Sequence, residues 1–221
     1  MAGTSSATLT AAPPTSGTYR FDPATSSWST LAPLPDPRTA AIAVVTHDRI
    51  HIVGGKDRSG DTTRHDVFDP VTNSWSLAAP MPTARDHTAY GVVHGKLHVV
   101  GGRPGAITAH EMYDPTTDAW TTAAPLPLGR SSFAGVALGG QLVVFGGEDA
   151  AESRVYADAE AYDPASNRWT SIARLPVPVQ GIRAGGEQCD LPTRRRSEWR
   201  PYRGSSWWSR SREAGRGGAN R

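Results

Sequence analysis

The chain has 221 residues, 20% of them charged, a formal net charge of +2 and a mean hydropathy of −0.43. That length allows one domain of moderate size or two small ones, and no apolar run approaches the ~20 residues that cross a bilayer as a helix. A single cysteine, Cys189, excludes an internal disulfide framework, while 23 glycines and 18 prolines favour turns and short strands over long helices.

Residues 1–16 (MAGTSSATLTAAPPTS) lack a basic segment and the apolar core of ~7–15 residues that an export signal needs. They are expected to be a disordered lead-in, and a cytoplasmic location is the default expectation. Charge is unevenly spread beyond them. Residues 1–182 carry 13 Lys+Arg and 17 Asp+Glu, whereas residues 183–221 carry 10 arginines, no lysine and 4 acids.

From residue 17 the chain repeats itself, which is the first feature to look for in a sequence of this kind. The triplet Phe21-Asp22-Pro23 returns as Phe68-Asp69-Pro70, Tyr113-Asp114-Pro115 and Tyr162-Asp163-Pro164. Six positions after each Asp stands a tryptophan: Trp28, Trp75, Trp120 and Trp169. A proline follows each Trp by seven, at Pro35, Pro82, Pro127 and Pro176. Ten after the first three tryptophans come Arg38, Arg85 and Arg130. A glycine pair lies 32 after the Asp in the same three copies: Gly54-Gly55, Gly101-Gly102 and Gly146-Gly147. The interval from the second glycine to the next Asp varies as 14, 12 and 16. Length variation is therefore confined to one segment per repeat, as expected of an exposed loop between packed strands.

The invariant part predicts strands. IAVVTHDRIHIVGG, YGVVHGKLHVVGG and FAGVALGGQLVVFGG each join two β-rich runs through two turn residues: His47-Asp48, His94-Gly95 or Gly139-Gly140. A third strand ends in the aromatic-Asp-Pro triplet, whose Asp and Pro favour a turn, and a fourth starts at the Trp. Four short strands in each repeat of about 45–49 residues form the pattern of a propeller blade.

The glycine pair, the later Tyr or Phe and the spaced Trp resemble kelch repeats over residues 17–183. The resemblance implies an all-β, kelch-type β-propeller of four-stranded blades, here incomplete, with disordered ends. It comprises a half-blade at 17–35 and three full blades at about 38–82, 83–127 and 128–176. The glycine pairs are expected to permit unusual φ angles or close backbone approach, and the four tryptophans to pack between blades, with sugar-stacking platforms as the alternative. Arg38, Arg85 and Arg130 open each blade. Structural pairing is one reading of them; a ring on one face that holds an anionic ligand is the other.

Little in the repeats points to chemistry. Seven histidines lie between positions 47 and 110, and His51 and His98 share a repeat column, as do His47 and His94. The third copy has Val143 and Gly139 there, so these histidines read as solvated strand or turn residues and not as metal ligands. The longest variable loop (146–160) is acidic. Its Glu148, Asp149 and Glu152 are candidate partner contacts, against the plainer reading of a solvated loop. No nucleophile-elbow or phosphate-loop motif occurs. Some kelch propellers are enzymes. The copper oxidases among them use a Tyr–Cys pair, but Cys189 lies outside the repeats, and no position matches a mutarotase-like site. No catalytic, cofactor or metal residue is assigned.

The fourth copy breaks. Val179 stands in the arginine position, a strand through about Ile182 is expected, and the places of the next strand and glycine pair hold Leu191-Pro192-Thr193-Arg194 and Arg195-Arg196. Proline does not fit a central strand, and buried arginine is costly. Residues 184–221, with nine arginines and three tryptophans, read as a disordered tail. Either it is a basic arm able to touch nucleic acid, or it is an out-of-frame extension, as arginine without lysine suggests.

The functional expectation is a non-enzymatic module that binds a protein or glycan through interblade loops. No nucleic-acid partner is expected outside the tail, nor any membrane. The alternatives are a fragment of a carbohydrate-active kelch enzyme lacking its site, or a truncated product without independent function. Open blade faces would favour self-association.

Overall fold

The structure, a computed structural model, describes residues 15–184. The lead-in up to residue 14 and the arginine-rich tail from residue 185, with the expectations of disorder placed on both, lie outside the described residues.

Fourteen strands and no helix are present in residues 15–184. A two-stranded half-blade comes first: β1 (Tyr19–Asp22) and β2 (Ser27–Thr30). The first full blade is β3 (Ile42–Thr46), β4 (Arg49–Val53), β5 (His65–Asp69) and β6 (Ser74–Leu77). The second is β7 (Ala89–Val93), β8 (Lys96–Val100), β9 (His110–Asp114) and β10 (Ala119–Thr122). The third is β11 (Ala134–Leu138), β12 (Gln141–Phe145), β13 (Ala159–Asp163) and β14 (Arg168–Ser171). Every full blade is an antiparallel meander in chain order.

Local chemistry explains the turns. His47-Asp48, His94-Gly95 and Gly139-Gly140 all have both φ values positive, which is what a two-residue hairpin needs to match strand twist. After each aromatic-Asp-Pro triplet, the Asp Oδ1 accepts the backbone N–H two residues on: Ala24, Val71, Thr116 or Ala165. Two positions before each Trp, at Ser26, Asn73, Asp118 and Asn167, φ is again positive.

The core lies between blades. Leu97, Val99 and Tyr113 of the second blade pack with Ile42, Val53 and Met81 of the first. Leu142, Val144 and Tyr162 of the third pack with Ala89, Val93 and Val100 of the second. The second and third inner strands, β7 and β11, lie against each other. Outer strands are largely exposed on both faces.

The glycine pairs fix the joints. Both members of each pair have φ between +61° and +110°. A Cβ on Gly54, Gly101 or Gly146 would stand 2.6–2.7 Å from the carbonyl oxygen of Arg85, Arg130 or Val179, at the start of the next blade position. The second glycine donates its N–H to that same carbonyl. Val179 thus still serves the joint through its backbone. Beyond β14, however, residues 172–184 form no strand, so the strand expected to run to Ile182 is not formed.

Candidate functional site

The arginine column is internal. Arg38 pairs with Asp66 at 2.7 Å, Arg85 with Glu111 at 2.8 Å, and Arg130 with Glu160. Their partners form a second column, three residues before each triplet Asp. The Arg85 guanidinium also donates to the carbonyls of Val99, Gly101 and Ala109, so it staples the ends of β8 and β9. Arg38 does the same with Ile52 and Gly54. Arg85 and Arg130 are fully buried. Burial pulls the Arg85 pKa down to about 10, against the opposing pull of Glu111. All three guanidinium groups are engaged inside their blades.

Four histidines expected in solvent are buried instead. His51 and His65 lie 2.8 Å apart, Nδ1 to Nε2, and His98 and His110 2.9 Å apart in the next blade. His65 Nδ1 faces the Ala79 carbonyl and His110 Nδ1 that of Ala124. A carbonyl only accepts, so His65 and His110 carry their proton on Nδ1. Their Nε2 atoms then accept from Nδ1–H of His51 and His98. The pairs lie against the next blade's aromatic ring, with His65 at 4.5 Å from Tyr113 and His110 at 4.4 Å from Tyr162. Desolvation holds His51, His65 and His110 at about 4 and His98 at about 3. The His51/His98 column was visible in the sequence. The His65/His110 column, four before the triplet Asp, was visible only by counting backwards from that Asp, across a loop of variable length.

The acidic loop divides. Glu148 is 3% exposed, a correction to its reading as solvated. It accepts from Arg103 of the second blade at 2.5 Å and from Ser132 at 2.7 Å, because the backbone bridge to Ser131 draws it inward. Glu152 is exposed and reaches the same Arg103 at 2.9 Å. Asp149 is held by the N–H groups of Ser153 and Arg154, which keep its carboxyl below the usual range.

These loops border a cleft of roughly 180 Å³ at the end of the blades where the glycine pairs lie. All three blades contribute to it: Lys56 and Asp61; Asp86 and Arg103–Ala106; Ser131, Asp149 and Glu152. Asp61 is pushed above the usual carboxylate range, first by burial and then by the neighbouring Asp86 charge. With Arg103 already answered by Glu148 and Glu152, acids outnumber free cations. The candidates Asp149 and Glu152 line this cleft; Arg38, Arg85 and Arg130 do not. Asp61, Asp86 and Arg103 were not singled out from the sequence, because only the stacking of blades brings them together. Among the described residues no three His, Cys, Asp or Glu side chains are grouped to hold a metal ion, and no helix is long and apolar enough to cross a membrane.

Comparison with known proteins supports the architecture. A kelch-repeat domain model, described as KLHDC2/KLHL20/DRC7 Kelch-repeats domain, matches residues 10–184. A solved structure described as YjhT aligns over 76% of this chain and 68% of its own, at 20% identity and a TM-score of 0.62, a likeness of fold. The chain matches no curated protein. With the family model spanning all three glycine-paired, tryptophan-anchored blades, the chain belongs to the kelch-repeat family, and its fold is a kelch-type β-propeller of four-stranded blades.

Proposed function

We propose that the chain is a non-enzymatic binding module that holds a protein or glycan in the cleft built by its interblade loops. One observation carries this reading: loops from three successive blades converge on a polar cleft whose carboxylates are not all answered by cations. Rigid strands position these loops, and length variation is confined to them, so the surface can vary without cost to the blades. The acidic balance suits a ligand rich in donors, such as the basic side chains of a peptide or the hydroxyls of a sugar.

The test is titration calorimetry with a lysine-rich peptide and with neutral oligosaccharides, on the wild type and on Asp149→Lys/Glu152→Lys. Saturable binding to either probe, weakened at least tenfold in the variant, is the expected result. Binding of neither probe, or equal binding by the variant, would overturn the assignment.

A further inference from the structure

The described blades are held together by one joint used repeatedly. In each joint the Trp Nε1–H of one blade donates 2.8 Å to an alanine carbonyl of the blade before it: Trp75 to Ala32, Trp120 to Ala79 and Trp169 to Ala124. The N–H of the same alanine donates to a side-chain oxygen two residues before that Trp: Asn73, Asp118 or Asn167, at 2.8–2.9 Å. The ring partnered with the Trp on β5, β9 or β13, namely Phe68, Tyr113 or Tyr162, is buried in the joint. Trp75, Trp120 and Trp169 are half-buried by this arrangement, as are the three alanines.

At the two ends of the described residues the same parts have no partner among those residues. On the half-blade, the Phe21 and Trp28 rings meet in a tilted pair with centroids 5.1 Å apart, like their counterparts, yet Trp28 is 69% exposed and Tyr19 beside them 62%. Neither Trp28 Nε1 nor the Ser26 hydroxyl, which holds the Asn73 position, has a hydrogen-bond partner among the described residues. At the other end, Ala173 holds the place of Ala32, Ala79 and Ala124. It is exposed, and its N–H and C=O have no partner among the described residues. Ile172 and Val177 beside it are exposed apolar side chains. Ala159 and Ala161, behind this rim, are already buried, so the rim of the third blade is what remains to be covered.

We propose that a second copy of this chain docks head to tail, with the Tyr19–Phe21–Trp28 face of one copy on the Ile172–Ala173 rim of the next. The contact repeats the chemistry of the internal joints: Trp28 Nε1–H donates to the Ala173 carbonyl, the Ser26 hydroxyl accepts from the Ala173 N–H, and the rings cover Ile172 and Val177. Such a contact is heterologous, so each copy keeps one donor face and one acceptor face, and association runs beyond the dimer or closes a ring. Neither docking face shares a residue with the cleft.

Complementation tests it. Light scattering of the full chain across a wide concentration range is expected to show mass rising with concentration. Phe21→Ser/Trp28→Ser blocks one face and Ala173→Glu the other, and each variant alone is expected to remain monomeric. Mixed in equal amounts they are expected to form a dimer that grows no further, since each supplies the face the other retains. Thr30→Lys, on the same exposed face as Trp28, serves as the blocked variant if the double replacement lowers the melting temperature. A monomeric wild type, self-association of either variant to the wild-type extent, or a mixture that stays monomeric would each overturn the proposal. So would a Trp28-dependent fluorescence change on adding an oligosaccharide to a wild type that never associates, which would make the ring face a sugar platform.

Discussion

Glu111 answers a guanidinium that has no exposure to solvent, so its removal leaves an uncompensated buried charge rather than one missing contact. Breaking such a pair from one side costs about 3–5 kcal/mol. Glu111→Ala is therefore expected to lower the unfolding free energy by about that amount in urea titrations. A loss no larger than that of a surface substitution would show that the pair does not support the second blade. Gly102 makes a separate residue-level case. Its φ is +110°, and a Cβ there would sit 2.5 Å from the Asp86 carbonyl oxygen. Backbone strain alone costs of order 1–3 kcal/mol, and the clash with main chain adds to it. Gly102→Ala should accordingly lower the melting temperature markedly, while Gly105→Ala, with open space around its Cβ, should lower it less. The importance of the glycine pairs could be read from spacing alone, because the φ requirement is local and recurs with the residue type. The burial of Arg85 could not: it depends on Glu111, 26 positions away, and on three carbonyls that no side-chain pattern marks.

At the scale of strands, the two histidine pairs make the blade joints sensitive to acid. Around the first pair stand Tyr113, Asp118 and Asp66 beside His65, and His47 beside His51. The folded-state values of about 4 lie below the unfolded value near 6.5. As pH falls below about 6.5 the unfolded chain takes up protons first, so stability present at neutral pH is lost between about 6.5 and 4. Below that range the folded pairs also titrate and this contribution levels off. Each of these histidines should withdraw on the order of 3 kcal/mol over this window. Replacing His51 with Val and His65 with Ala copies Val143 and Ala159 of the third blade. The variant is expected to have a flatter stability–pH curve between 6.5 and 4 when unfolding midpoints are measured in denaturant. An unchanged slope would mean that the pair does not titrate as a buried unit. The histidines looked solvated in the sequence because the ring that buries each pair belongs to the following blade. Trp28 shows the converse: it has the same local sequence context as Trp75, but among the described residues no blade lies over it.

Across residues 15–184, stability should be graded by how many neighbours each strand has. The inner and middle strands of the second blade lie between two other blades, and Leu97, Val99 and Val100 of β8 are fully buried. Each residue of β1 and β2 is exposed, and the half-blade is tied to the first blade through the Ala32 link to Asn73 and Trp75. Opening the half-blade breaks few buried contacts, whereas opening β8 exposes both flanking joints, so the two should not exchange with solvent together. Hydrogen exchange is expected to be slowest at β8 and its partner β7, intermediate at the exposed outer strands β6, β10 and β14, and fastest at β1–β2. Uniform protection across the blades would mean that they unfold as one cooperative unit and would refute the gradient. If copies join head to tail, protection at β1–β2 should also rise with protein concentration while that at β8 stays constant. The front-blocked Phe21→Ser/Trp28→Ser variant should lose that concentration dependence without altering the order of the other strands.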